Sequence, residues 1–213
     1  MKKMIAVLLL LLIVSPAFAG DQWKLSATAL YNIYQNENLE NSPGARIDLS
    51  REWLVLWASY ERPQLFYGGQ QACKIPLVGF GVGFQHRFDV PLTLRIDAGY
   101  YFTKEDVNED SLAFKEAMYI RANQTARPFK SGMFPHWEYE LKNAFGGSIS
   151  LSYDASLSEN WFLSLSTGYR YLRTRGDIWG HNGTHDPDEF HWIVLENVDF
   201  SAWQGGVMFT YEW

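Results

Sequence analysis

Ala202-Trp203-Gln204-Gly205-Gly206-Val207-Met208-Phe209-Thr210-Tyr211-Glu212-Trp213 is the stretch whose reading decides the fold. Alternate residues counted back from the end are Trp213, Tyr211, Phe209, Val207, Gly205 and Trp203. Between them lie Glu212, Thr210, Met208, Gly206, Gln204 and Ala202. One face is apolar and aromatic, the other small or polar. A two-residue period with that contrast predicts a β-strand lying between two different surroundings. The strand runs to an aromatic last residue, whereas chain ends in water usually fray.

The start of the chain agrees with its end. Lys2 and Lys3 precede an apolar run from Met4 to Val14, which is too short to span a bilayer as a helix. Ser15-Pro16 breaks the run, and Ala17-Phe18-Ala19 is a small-x-small cleavage site. Residues 1–19 are therefore expected to be a secretory signal peptide, leaving 20–213 as one domain. A retained N-terminal helical anchor is the alternative. No Cys follows the site, which argues against a lipoprotein anchor. The chain carries 18 Lys and Arg against 24 Asp and Glu. An acidic balance argues against nucleic acid as a partner. No other segment reaches the ~18 consecutive apolar residues of a membrane helix. Membrane residence would therefore require a closed barrel, because only helices and barrels satisfy every backbone group in lipid. Cys73 is the only cysteine and is read as an unpaired thiol.

Alternation recurs along the chain. Strands are expected over 23–34, 44–50, 53–61, 75–87, 92–103, 137–154, 161–173 and the closing stretch. The clearest is the fifth, with Leu92, Leu94, Ile96, Ala98, Tyr100 and Phe102 set against Thr93, Arg95, Asp97, Gly99, Tyr101 and Thr103. The least regular is the third, where Trp53 to Ala58 is a continuous apolar run of the kind a buried soluble strand also shows. In the fourth, Gly79, Gly81 and Gly83 occupy one face, which suits a crowded barrel interior. Gly79-x-Gly81 is not read as a dinucleotide loop, since no helix follows it. Residues 62–74 read as a loop, 104–135 as a long charged segment with a short helix over 112–121, and 174–199 as a second long segment.

Eight strands give short turns after the second, fourth and sixth and longer connections after the others. That asymmetry predicts an all-β, eight-stranded antiparallel up-and-down transmembrane barrel with short periplasmic turns and longer external loops. Seven strands would mix long and short connections on one rim. Aromatics at the last, third-last and fifth-last positions resemble the C-terminal signal of bacterial outer-membrane barrel proteins, with Trp213 where that signal usually carries Phe. The chain as a whole resembles the small barrels of the OmpA-transmembrane, OmpX and OmpW kind. The resemblance implies outer-membrane lipids as surroundings and insertion by the outer-membrane assembly machinery through the closing strand. It carries over no catalytic or ligand residue. A soluble exported β-sandwich is the alternative fold.

If the apolar faces meet lipid, the lumen holds Lys24, Arg46, Asp48, Arg95, Asp97, Glu138, Glu140, Lys142, Arg170 and Glu212. Charges of both signs are expected to pair, because an unpaired buried charge costs several kcal/mol. An eight-stranded barrel is only just wide enough for side chains, so the lumen is expected to be filled and to hold no open channel. These charges are read as structural, with an ion or proton pathway as the alternative.

Candidates for chemistry are few. His181, His185, Asp186, Asp188, Glu189 and His191 contain metal-ligating types, but Gly183 and Pro187 argue against the helix that would align the first two histidines, and a polar loop is the simpler reading. Asn182-Gly183-Thr184 matches a glycosylation acceptor, which means little in a bacterial outer membrane. Ser131, His136 and Glu138 lie close in sequence, yet no nucleophile elbow surrounds them. His86-Arg87 is expected to cap a strand end. No catalytic residue, metal site or cofactor is assigned. The function expected is that of a structural or surface-interaction protein acting through its external loops, whose aromatics include Phe129, Phe134, Trp179 and Trp192. A lipid-modifying enzyme and a narrow pore for small solutes are the alternatives.

Overall fold

The computed structural model describes residues 23–107, 111–125, 136–181 and 191–213. The expected leader and residues 182–190 lie outside them, as do Ser131, Phe129 and Phe134. In chain order the elements are β1 (Trp23–Tyr34), β2 (Ser42–Arg51), β3 (Leu54–Glu61), β4 (Gln64–Tyr67), β5 (Gln70–Lys74), β6 (Leu77–Arg87), β7 (Leu92–Thr103), α1 (Leu112–Thr125), β8 (His136–Leu141), β9 (Ala144–Ser156), β10 (Trp161–His181), β11 (His191–Asp199) and β12 (Ala202–Glu212).

Eight strands form the antiparallel barrel, in the order β1-β2-β3-β6-β7-β9-β10-β12. Closure falls to the stretch quoted first. On one side β12 pairs with β1 from Lys24↔Glu212 to Tyr34↔Ala202, and on the other it pairs with β10 from Trp161↔Tyr211 to Arg170↔Ala202. No edge is left in the ring, so every ladder group has a partner. The outward set is apolar and open, with Phe145 79%, Leu165 60% and Phe84 57% exposed. A contiguous band of that kind suits hydrocarbon and not water. The sandwich alternative fails, because there is one rolled sheet and not two stacked layers.

The structure differs from expectation in three places. Residues 62–74 hold a hairpin, β4–β5, turned by Gly68 and Gly69 at φ 57° and 82°. Two left-handed positions in a two-residue turn need glycine, so Gly-Gly between two short runs was the available signal. The sixth strand breaks at Lys142-Asn143 into β8 and β9, and β10 continues past the barrel to pair with β8 and with β11. Helix α1 extends to Thr125, further than expected, and starts where the Ser111 hydroxyl accepts the Phe114 amide at 3.1 Å.

The break at Lys142 carries a reversal of faces. In β9, Phe145, Ile149, Leu151 and Tyr153 point outward and are exposed. In β8, Trp137, Tyr139 and Leu141 are buried while Glu138 and Glu140 are exposed. Strand β10 makes the same change without a break. Its outward residues pass from Leu165 and Tyr171 to Arg173 and Arg175, and its inward ones from Ser164 and Ser166 to Leu172 and Ile178. Apolar-out and polar-in is the rule for a barrel in lipid; polar-out and apolar-in is the rule in water. The crossover at Tyr171–Arg173 is where the outward face of β10 changes from apolar to charged.

Beyond that level the chain builds a folded cap with its own core. Phe114, Ala117 and Met118 of α1 meet Leu65, Tyr67, Ala72 and Cys73 of the hairpin, with Leu172, Ile178 and Phe200 beneath. Cys73 is thus a buried residue of this core and not part of a polar loop.

Candidate functional site

Residues two apart on a strand share a face. Arg46 and Asp48 therefore both enter the lumen from β2, and Arg95 and Asp97 from β7. Strands β3 and β6 lie between these two, and the four side chains meet across the interior as a closed ring. Arg46 donates to Asp48 at 2.8 Å and to Asp97 at 2.9 Å; Arg95 donates to Asp97 at 2.7 Å and to Asp48 at 2.8 Å. Ser148 of β9 adds a hydrogen bond to Asp97 at 3.1 Å. Each carboxylate bridges both guanidinium groups, so the opposite charges expected in the lumen are neutralised where they sit.

The lumenal glycines make this geometry possible. A Cβ at Gly83 would collide with the Asp97 carboxylate, and one at Gly81 or Gly99 with the Trp57 indole. Trp57 fills the space so vacated, with its N–H donated to the Val82 carbonyl at 3.3 Å and Arg46 lying 4.7 Å over its ring. Next towards the cap is a second ion pair, Arg170 with Glu61. Arg170 also donates to the Phe200 carbonyl at 3.0 Å and lies over Tyr101 and Tyr34, at 5.6 and 5.9 Å. Glu61 and Trp57 were missed in the sequence because the continuous apolar run of β3 hid its inward set, Val55, Trp57, Ser59 and Glu61.

On the short-turn side of the ring the lumen is not filled. A cavity of about 810 Å³ opens there, and this corrects the expectation of an interior packed throughout. Its walls carry hydroxyls, among them Ser26, Thr28, Ser150, Ser152, Ser164 and Ser166, together with the apolar side chains of Leu30, Trp53, Phe162 and Met208. Its charged lining balances: Lys24, Arg46, Arg87 and Arg95 stand against Asp48, Glu52, Asp154 and Glu212. Lys24 pairs with Glu212 at 2.8 Å, and Asp154 accepts from Thr93 at 2.8 Å.

Of the ten charges expected in the lumen, Lys24, Arg46, Asp48, Arg95, Asp97, Arg170 and Glu212 are there. Glu138, Glu140 and Lys142 are not. The face reversal puts them on the outside of the cap, where Lys142 pairs with Glu140 at 2.6 Å. His86 packs edge-on to Phe88 at 4.9 Å on the short-turn rim. The cap register sets His136 opposite His181 and Gly180 opposite His191, so the topology gathers at one sheet end histidines that are distant in sequence. Among the described residues no cluster of three metal-ligating side chains occurs.

No protein-family model and no curated protein matches the chain. Solved structures do. The outer membrane protein OprG from Pseudomonas aeruginosa is similar over 91% of this chain and 96% of its own, with a TM-score of 0.57 at 10% identity. The outer membrane protein AlkL covers 92% and 93% with a TM-score of 0.48 at 12% identity. Neisserial surface protein A covers 91% and 97% with a TM-score of 0.44 at 11% identity. At such identities the likeness to OprG speaks to fold alone. With the ring closed by β12 and an apolar belt around it, the chain has the fold of the small eight-stranded outer-membrane β-barrel proteins.

Proposed function

We propose that the chain is an outer-membrane protein whose barrel carries a folded external cap, and that it acts as a structural or surface-interaction protein and not as a pore. The observation that supports this most is the sequence of barriers along the axis. The Arg46–Asp48–Arg95–Asp97 ring comes first, then Trp57, then Arg170 with Glu61, and finally the apolar core of the cap. A hydrated ion following the axis would have to break paired buried charges and then cross an apolar plug. On this reading residues 1–19 direct export, β12 is the segment used for insertion, and the short turns face the periplasm while the cap faces outward. The cap offers a fixed surface, because α1, the β4–β5 hairpin and the β8–β10–β11 sheet share one core.

Planar-bilayer recording of the purified barrel tests the reading. The expected record is a quiet baseline at moderate voltage. Stable, reproducible conductance steps would overturn the closed-lumen proposal in favour of a pore.

A further inference from the structure

The open half of the lumen has the features of a binding site. Its volume, about 810 Å³, falls within the range of ligand pockets, roughly 300–1,000 Å³. The ionic ring forms part of its floor, through Arg46, Asp48 and Arg95. That floor is not electrically symmetrical. The Arg46 and Arg95 side chains retain 13% and 12% exposure, whereas Asp48 and Asp97 retain 3% and 1%. Each arginine uses Nε and one terminal nitrogen on the carboxylates. Among the described residues the second terminal nitrogen of each has no protein acceptor. Arg46 and Arg95 both line the cavity, and Asp97 does not. A ligand carboxylate or similar anion meeting this floor would find guanidinium N–H groups held in place by the ring.

The walls add a second chemistry. Ser148, Ser150 and Ser152 of β9 face inward at two-residue intervals, with Ser164 and Ser166 of β10 beside them. In a barrel this narrow, larger side chains would fill the space; hydroxyls leave it open and line it with donors and acceptors. The balanced charge of the whole lining disfavours a polyanion.

We propose that this vestibule binds a hydroxylated monoanion of about sugar size, a sugar acid, with its carboxylate on Arg46 and Arg95 and its hydroxyls on the serine wall.

The test uses the full barrel in detergent micelles, titrated separately with sodium glucuronate, glucose and sodium acetate while the amide spectrum is recorded. Glucuronate is expected to shift the amides of Ser148, Ser150 and Ser166 saturably. Glucose and acetate, each carrying half of the chemistry, are expected to bind at least about tenfold more weakly. Ser150→Phe, which fills the cavity from the wall beside Arg95, is expected to weaken glucuronate by at least about the same factor. Arg95→Lys keeps the ring's charge but loses the fork, and is expected to weaken glucuronate while leaving glucose unchanged. Retained resistance of each variant to SDS before heating shows that it is folded. Absence of saturation with glucuronate, equal response to acetate or glucose, or unchanged affinity in folded Ser150→Phe would each overturn the assignment and leave a cavity that holds water only.

Discussion

Asp97 shows what a single lumenal residue carries. It accepts from Arg46, Arg95 and Ser148 and is almost fully buried. Removing its charge leaves two guanidinium groups facing one carboxylate in a site with little water. Asp97→Asn is expected to lower unfolding stability by about 3–5 kcal/mol, the usual result of stripping one partner from a buried pair. Replacing all four ring residues by apolar ones of similar size should cost less, because no charge is then stranded. Urea titration of the barrel in lipid vesicles measures both, and a near-neutral Asp97→Asn would show that the ring is not coupled. Asp199, in the cap, titrates differently. Burial pushes its carboxyl up, but hydrogen bonds from Ser201 and the Arg173 ion pair outweigh that and hold it below its ordinary value of 3.8. A depressed carboxylate contributes stability above its ordinary value and loses it as pH falls through the lower folded one. Acidification below that range is therefore expected to raise hydrogen exchange at the Ser201 amide, which donates to Asp199 at 2.9 Å, once corrected for the intrinsic rate. Asp199→Asn should remove the pH dependence.

Strands β8 and β10 show at the scale of the element how surroundings select a face. Alternation was legible in the residues from Trp137 to Tyr153, but its polarity was not. Trp137, Tyr139 and Leu141 share odd numbering with Ile149 and Leu151, yet the first three are buried and the last two exposed. Period two states that the faces differ and is silent on which one meets water. In β10, by contrast, Arg173 and Arg175 following Tyr169 and Tyr171 on one face were a readable sign of the boundary. Two substitutions separate the regions. Leu165→Arg, on the outward face of the barrel, is expected to cost about 2–4 kcal/mol in a bilayer, depending on depth. Glu140→Leu, outward above the crossover, should stay within about 1 kcal/mol, because its pair with Lys142 is solvent-exposed. Urea unfolding in vesicles reads both, and equal costs would misplace the boundary.

For the whole molecule, closure governs behaviour. The ladder from Lys24↔Glu212 to Tyr34↔Ala202 joins the first strand to the last, so the barrel cannot open at an edge without losing pairs along a strand. Unheated protein is therefore expected to resist SDS and to migrate apart from the boiled chain on a detergent gel. A single band under both conditions would contradict a closed sheet. The same closure brings β2 opposite β7 and creates the ring from two Arg-x-Asp segments about fifty residues apart. Both segments were legible as lumenal charges. Their partnership was not, because it depends on which strands face one another across the interior.

Local alternation, turn chemistry and strand count determined the barrel and the inward direction of Arg46, Asp48, Arg95, Asp97 and Arg170. Those are properties of neighbouring residues, set by the pleat of the strand. The external hairpin and its core, the face of β8, the Glu61–Arg170 pair and the open vestibule were decided only by tertiary structure. Each depends on the medium or on side chains arriving from distant strands, and neither is written in a two-residue period.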